Sequence, residues 1–324
     1  MSAVTAVPAA LPRMGALQAA WLRHRAALRT VIGVLAGLAV LLLVSGYFLH
    51  RGFERSGAGG CDPATRECNE RWKEFLRGYG TELMLGSNLV YFLGGAIGAF
   101  VGGPLLAREF EHGTFRFAWT QGAGRTRWTA SGLAVTAGVL AVATALLAQV
   151  FSWWIAPMRQ QGSRFAPLLF VGAPPALAGR VLLVFAVSAL AGAVLRRTVV
   201  AVGIGVAASV LVTLGAETLR FHYRAPLQET LHTLSQVWVD HRWTGSSWYT
   251  DPAGNRIGTA ELFDRGHDYW GVQKLVQDGG YAVHEVYQPD DRYWPFQFIE
   301  LGWMTVLAVA LGAVTVWWVR RGAR

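Results

Sequence analysis

Lysine is almost absent from this sequence, in which only Lys73 and Lys274 stand among 29 basic residues. A phosphate-binding Walker loop needs Gly-Lys followed by Ser or Thr, because that lysine contacts the nucleotide phosphates. Trp72 and Gln273 precede the two lysines, so the chain has no P-loop and is not its own P-loop ATPase. The arginine bias, with abundant Ala, Gly and Val, indicates a GC-rich genome.

Charged residues are also scarce, at 15% against 53% hydrophobic residues. This balance excludes an ordinary soluble fold and indicates that the lipid bilayer is the solvent. The net charge of +9 does not point to nucleic acid, because the basic residues flank apolar segments instead of forming one stripe.

Long apolar runs recur along the chain. A spanning helix needs about 20 mainly apolar residues, because lipid offers backbone groups no hydrogen-bond partner. We therefore predict an all-α integral membrane protein with about six transmembrane helices: Leu28–Leu49, Leu83–Leu106, Ser131–Ile155, Leu177–Leu195, Val199–Leu219 and Phe298–Val319.

The first apolar run is longer than a signal-peptide core, and Gly46–Arg51 after it is not a small-residue cleavage site. A permanent first span is favoured over a cleaved signal. Before it, Ala16–Arg29 is either an interfacial helix or a basic disordered tail, and the shared apolar face of Leu17, Trp21 and Leu28 favours the helix. We assign residues 1–27 to a cytoplasmic tail with this helix.

The distribution of charge predicts the orientation. With both termini cytoplasmic, the inner segments hold two acids, Glu109 and Glu111, and 13 of the arginines: Arg13, Arg23, Arg25, Arg29, Arg108, Arg116, Arg125, Arg127, Arg196, Arg197, Arg320, Arg321 and Arg324. Short arginine-rich loops stay inside, so we expect both termini in the cytoplasm of a multi-pass plasma-membrane protein.

The two cysteines, Cys61 and Cys68, fall in the first outer loop of this topology. An oxidising compartment permits a disulfide there, and a pair of free thiols is the alternative. Two cysteines with no nearby histidine do not complete a tetrahedral metal site, so no bound metal is expected.

Residues 220–297 are long enough for a small extracytoplasmic subdomain before the last span, which with a basic tail takes residues 298–324. Leu227–Val239 has the pattern of an amphipathic helix, Tyr281–Tyr287 has strand character, and Asp251–Asn255 has the composition of a turn. Its aromatic residues either lie at headgroup level, bind substrate or pack the subdomain: Trp238, Trp243, Trp248, Trp270 and Trp294.

The inner loop at residues 107–130 alternates charged and aromatic residues. It has the pattern of a short helix along the membrane that breaks at Gly113 and again at Gly122–Gly124. Such a surface suits a protein partner. A loop that only fixes topology would need the arginines, but it would explain neither the carboxylates nor the aromatics.

At this loop the sequence resembles the permease subunits of type-2 ATP-binding-cassette (ABC) exporters, especially actinobacterial ones. The resemblance rests on Gly103–Thr114, Ala118–Gln121 and Arg127–Trp128, and similar short motifs flank the other spans. These include Trp21, His24 and Arg25 before the first span, Gly162–Phe165, Leu195–Thr198, Phe221–Tyr223, Tyr287–Pro289, Trp294–Gln297 and Glu300.

The resemblance implies that a coupling helix in this loop contacts a nucleotide-binding subunit. The residues so implicated are Arg108, Glu109, Glu111, His112, Gly113, Thr114, Arg116, Trp119, Gln121, Arg127 and Trp128. Glu109 and Glu111 would accept hydrogen bonds from basic groups or backbone donors of that partner. The resemblance also implies that a second permease subunit, a copy or a paralogue, pairs with this chain. It further implies that ATP and Mg bind to the partner ATPase and that this chain binds no cofactor directly.

Within the predicted spans, Gly94, Gly98 and Gly102 form a small-residue face. That face either lines a dimer or translocation seam or packs helices within one subunit. Asn88, Gln149 and Glu217 are candidates for a polar path.

Enzymatic readings are weaker. The outer histidines have no shared metal-binding spacing, Thr244–Trp248 is not a nucleophile elbow, and Gly203–Gly205 lies inside a predicted span. The rival to a transport subunit is a membrane-anchored enzyme or sensor whose outer loop binds a cell-envelope ligand.

Overall fold

The computed structural model describes residues 15–62, 65–113, 124–160, 163–232 and 242–321. As predicted, these residues contain six helices long and apolar enough to cross a membrane: α1 (Ala16–Ser56), α2 (Arg66–Glu111), α3 (Arg125–Trp154), α6 (Pro174–Leu195), α7 (Thr198–Arg220) and α10 (Tyr293–Arg321). Two short helices, α4 (Ala156–Arg159) and α5 (Pro167–Val171), lie between α3 and α6.

The six long helices alternate in direction. Helices α1, α3 and α7 begin on one side of the bundle, and α10 ends on the same side. Because it holds the first and last described turns of the chain, we call this side the terminal end. The opposite side, where α7 ends and α10 begins, is the insert end.

The amino-terminal helix is part of the first span. The predicted helix over Ala16–Arg29 is present, but the expectation of a separate interfacial element was wrong, since α1 is one helix of 41 residues. At 1.5 Å per residue it is about 60 Å long. Proline is missing throughout Ala16–Ser56, so the backbone hydrogen bonds continue from the basic turns into the apolar ones.

The second helix is longer than its apolar core. α2 has 46 residues and begins well before Leu83, because the Thr65 side chain accepts a hydrogen bond from Cys68 N (3.3 Å) and caps the first turn. A disulfide joins Cys61 to Cys68 at the turn between α1 and α2. The helix ends where Gly113 takes a φ of +69°, a conformation that glycine adopts without strain.

The central helix is α6, which packs against α2, α3, α7 and α10. Its closest neighbour is α2, whose glycines allow the two backbones to approach. A Cβ placed on Gly98 would lie 2.8 Å from the carbonyl oxygen of Val181, and one on Gly102 would collide with the backbone of Phe185. Gly94 packs against the side chain of Leu177, since a Cβ there would lie 2.9 Å from Leu177 Cδ1. The small-residue face of α2 therefore packs within one chain.

The insert between α7 and α10 is an α/β unit. Four antiparallel strands form one sheet in the order β1-β4-β2-β3: β1 (Leu227–Leu231), β2 (Trp243–Thr250), β3 (Arg256–Ile257) and β4 (Ala282–Gln288). Helices α8 (Thr259–Gly266) and α9 (Tyr269–Asp278) lie between β3 and β4, and a single 3-10 turn (Asp290–Arg292) precedes α10. Leu262, Val272 and Val283 belong to the apolar core shared by sheet and helices.

The sequence interpretation of this insert was partly wrong. The predicted turn at Asp251–Asn255 is present, with Asp251 Oδ1 accepting from the backbone of Ala253 and Asn255, and β4 matches the predicted strand. The first half of the predicted amphipathic helix Leu227–Val239 is instead strand β1, and residues 233–241 lie outside the described part. Pairing with β4 overrides the local helical pattern, since Leu231 is buried opposite Val283.

We expect Gly98→Ala to lower the unfolding temperature of the purified protein, because the added methyl group meets the backbone of α6. Overpacking of this kind destabilises by about 1–3 kcal/mol. Gly138→Ala in α3 is the matched control, since a Cβ there has no neighbour within 4 Å. Thermal unfolding followed by circular dichroism in detergent measures both, and equal midpoints for the two variants would contradict the close α2–α6 contact.

Candidate functional site

The terminal end of the bundle holds the residues that the sequence pattern singled out. Arg108–Glu111 form the last turn of α2, and Arg127 and Trp128 lie in the first turn of α3. The helical part of this loop belongs to α2, which continues without a break to Glu111, and the break predicted at Gly113 is where α2 ends. Thr114, Arg116, Trp119 and Gln121 lie outside the described residues.

Three helices meet around Arg23. Its guanidinium carbon lies 4.4 Å above the ring of Trp128, and its Nε is 3.8 Å from Glu109 Oε1. Trp128 is buried, whereas the Arg23 side chain is 27% exposed, so one face of this cation–π contact remains open to solvent. Arg23, Glu109 and Trp128 therefore connect the beginning of α1, the end of α2 and the beginning of α3.

The second acid, Glu111, connects α2 to the turn between α6 and α7. Its Oε1 accepts a hydrogen bond from the backbone N–H of Thr198 (2.8 Å), and its Oε2 accepts one from the Thr198 hydroxyl (2.7 Å). Thr198 is the first residue of α7. A carboxylate at a helix N-terminus satisfies donors that have no partner within the helix and faces the positive end of the helix dipole. Glu111 is thus an N-cap supplied by a different helix.

Other residues of this end are open to a partner. Arg108, His112 and Arg127 are exposed. The His112 ring bonds back to the Arg108 carbonyl oxygen through Nδ1 (2.7 Å), and this contact fixes the ring at the end of α2. We call the set of Arg23, Arg108–His112, Arg127–Trp128 and Thr198 the terminal-end site.

The polar residues proposed for a path through the spans have different environments. Asn88 donates to the Met84 carbonyl within its own helix, and Gln149 is exposed. Glu217 accepts a hydrogen bond from the Tyr91 hydroxyl (2.7 Å), which links α7 to α2. Of the three, only Glu217 joins two spans.

A buried charge cluster, which the sequence interpretation missed, lies toward the insert end. Arg180 of α6, Arg220 of α7 and Glu300 of α10 are each at most 1% exposed, and Glu300 lies between the two arginines. The signal was present: Arg180 stands alone inside the predicted apolar run Leu177–Leu195. An ionisable residue within a span indicates a functional role by default.

The histidines of the insert have packing and hydrogen-bonding roles. His284 lies between the hydroxyls of Thr230 (2.9 Å) and Thr250 (3.1 Å) and stacks on Trp248. The residues that the structure describes contain no group of three metal-ligating side chains.

The nearby Glu285 pairs across the sheet with Glu229 and faces Arg242, whose Nη1 is 3.9 Å away. Burial raises the pKa of the Glu285 carboxyl, and the charge of Arg242 only partly offsets this effect. This charged set lies inside the insert, away from the terminal-end site.

Six apolar helices in one antiparallel bundle define a multi-pass membrane protein. A family model described as ABC-2 membrane transporter related matches residues 32–220, which is more than half of the chain and includes α2, α3, α6 and α7. The chain belongs to this family. Comparisons with curated proteins and with solved structures return no match.

We expect Glu111→Gln to destabilise the protein, because the α7 N-terminus loses its charged cap. Glutamine keeps one acceptor oxygen but loses the negative charge that faces the helix dipole. Thr198→Val should be milder, since the backbone N–H of residue 198 still donates to Glu111. Thermal unfolding of both single variants and the double variant gives the coupling between the two residues. Strictly additive effects would contradict this capping contact.

Proposed function

We propose that this chain is the membrane-spanning permease subunit of an ABC exporter, which moves an amphipathic compound outward using ATP hydrolysed by a separate subunit. The family assignment favours a transport subunit over an anchored enzyme or sensor. The observation that carries the proposal is the terminal-end site, where ends of α1, α2, α3 and α7 meet through Arg23 and Glu111.

The orientation follows from the charges at this end. Arginines dominate the segments between spans there, whereas the acids concentrate at the insert end. We therefore place the terminal end and both termini in the cytoplasm of a cell with this permease in its plasma membrane. The insert and the Cys61–Cys68 disulfide then face outward, where an oxidising environment allows that bond.

The partner in this proposal is a cytoplasmic ATPase subunit that binds ATP and Mg, since the chain lacks the Walker lysine. The exposed Arg108, His112 and Arg127 are the first candidates to contact it. Motion of the partner would reach α1, α2, α3 and α7 through the contacts of Arg23 and Glu111. A second permease subunit, identical or a paralogue, completes the transporter.

We expect a P-loop ATPase to co-purify with the tagged chain from its own membranes. Glu109→Ala should reduce the permease-dependent stimulation of that ATPase several-fold, because it removes the α2 carboxylate that pairs with Arg23 of α1. Glu111→Lys should reduce it further, because it places a cation against the N-terminus of α7. Glu70→Lys is the control, since Glu70 is an exposed acid at the insert end. Normal stimulation in both terminal-end variants would overturn the coupling role.

Thr198→Val separates the two functions of Glu111. This variant removes the side-chain bond to Glu111 but leaves the carboxylate in place for a partner. If Glu111 also contacts the ATPase, Thr198→Val should retain more stimulation than Glu111→Gln at equal expression. Equal losses would restrict Glu111 to its capping role.

Orientation is tested by cysteine labelling in a background with Cys61 and Cys68 replaced by serine. We expect a membrane-impermeant maleimide added to intact cells to label Ala253→Cys in the insert but not Gly124→Cys at the start of α3. Both positions are exposed, so accessibility to the reagent depends on the side of the membrane. Labelling of Gly124→Cys from outside would reverse the proposed topology.

A further inference from the structure

Arg180 is a buried cation that the other described residues do not satisfy with a hydrogen bond. Its side chain is 0% exposed, and no group in the described residues accepts a hydrogen bond from its Nε, Nη1 or Nη2. The nearest carboxylate atom, Glu300 Oε1, is 3.6 Å from Nη2, which is too far for a hydrogen bond.

The neighbouring arginine is held very differently. Arg220 donates from Nε to Glu300 Oε2 (3.0 Å) and from Nη2 to Glu300 Oε1 (3.3 Å), and its guanidinium carbon lies 3.8 Å from the centre of the Phe170 ring. Both oxygens of Glu300 are therefore engaged by Arg220. Among the described residues, the guanidinium group of Arg180 has no equivalent hydrogen-bonding partner.

The space around Arg180 is shaped by α2 and α7. Its guanidinium carbon lies 5.8 Å from the Tyr91 ring, and the Tyr91 hydroxyl bonds to Glu217. Tyr91 and Glu217 are half-buried, so their pair lies closer to the bundle surface than Arg180 does. Gly94, next to Tyr91 on α2, contributes no side chain here, and a Cβ on it would lie 3.9 Å from Arg180 Cδ.

An apolar cavity of about 400 Å³ lies between α3, α6 and α10. Its lining includes Leu182 of α6 and Thr305 of α10 but not Arg180, which lies about 200° around the helix from Leu182. It continues toward the terminal end past Phe185 and Val316. A cavity of this size, mostly apolar with few polar groups, is typical of a small-molecule site.

The chemistry of the guanidinium group determines what fits. It carries five N–H donors and no acceptor and stays charged, so only an acceptor group can satisfy it. Its planar fork matches a carboxylate or a phosphate through two parallel hydrogen bonds. A buried arginine without such a partner destabilises a fold, and an apolar residue of similar size would serve packing better.

We propose that Arg180 is the subsite for the anionic group of the transported amphiphile, a carboxylate or phosphate head. That this ligand is transported rests on the function proposed above, whereas the binding site itself does not. Glu217 lies beside the subsite and disfavours a second negative charge, so its neutralisation should strengthen binding.

The test uses the full chain in phosphatidylcholine nanodiscs, without any ATPase. The probes are lysophosphatidic acid, the monoacylglycerol with the same chain, and inorganic phosphate. We expect lysophosphatidic acid to bind at least about tenfold more tightly than the uncharged lipid, a difference of about 1.4 kcal/mol. Binding of phosphate alone at the affinity of lysophosphatidic acid would make a free anion the occupant of Arg180. Equal affinity for the two lipids would overturn the subsite.

Variants separate binding from a structural role. Arg180→Met should leave the unfolding temperature equal or higher without ligand, and should abolish the stabilisation by lysophosphatidic acid. Arg180→Lys should weaken binding about tenfold, because an ammonium group cannot make two parallel bonds. Glu217→Gln should bind more tightly than the wild type, because it removes the negative charge beside the subsite. Arg77→Met, at an exposed arginine of α2, should behave as the wild type.

Lower unfolding temperature with undiminished binding in Arg180→Met would show a purely structural arginine and refute the proposal. If that variant does not fold, Arg180→Lys and Glu217→Gln still decide it through their opposite effects on affinity. Failure of the subsite is distinguishable from failure of the proposed function. An ATPase that co-purifies with a permease lacking selective lipid binding rejects the subsite alone, whereas selective binding without an ATPase partner rejects the exporter.

Discussion

The close contact between α2 and α6 is the interaction on which the rest of the structure depends. Lipid gives helices no hydrophobic reason to associate, so packing at short range must hold them together. Glycines on α2 allow this close packing, because the backbone of α6 occupies the space that larger side chains would fill. With α2 held there, Glu111 at one end reaches Thr198, and Tyr91 near the middle of the helix reaches Glu217.

The sequence predicts the spans well because their cause is local. A run of apolar residues long enough to cross the bilayer must close its own hydrogen bonds, and a helix does so whatever its neighbours are. The ends are less predictable, since the polar turn at Arg66 and the basic turn at Arg23 continue helices that apolar length alone would stop. Strand β1 failed as a prediction because its partner β4 lies more than fifty residues further along the chain.

The two functional regions differ in the same way. The acids and aromatics around residue 110 are contiguous in the sequence, so their pattern identifies the terminal-end site, although not the bond from Glu111 to Thr198. Arg180, Arg220 and Glu300 come from three different helices, and only the packing of α6 against α7 and α10 brings them together. The lone arginine in an apolar run was the available sequence signal for that cluster.

The uninterrupted length of α2 makes it a mechanical lever. At 46 residues it spans about 69 Å, far more than the roughly 30 Å hydrocarbon layer. Pro104 lies between the glycine face and Glu111 and removes one backbone hydrogen bond of the helix. Bending of α2 therefore concentrates in this short segment that ends at Glu111. A tilt of a few degrees about the glycine contact displaces the far tip, where Arg66 meets Asp268 of the insert (3.2 Å), by several ångströms.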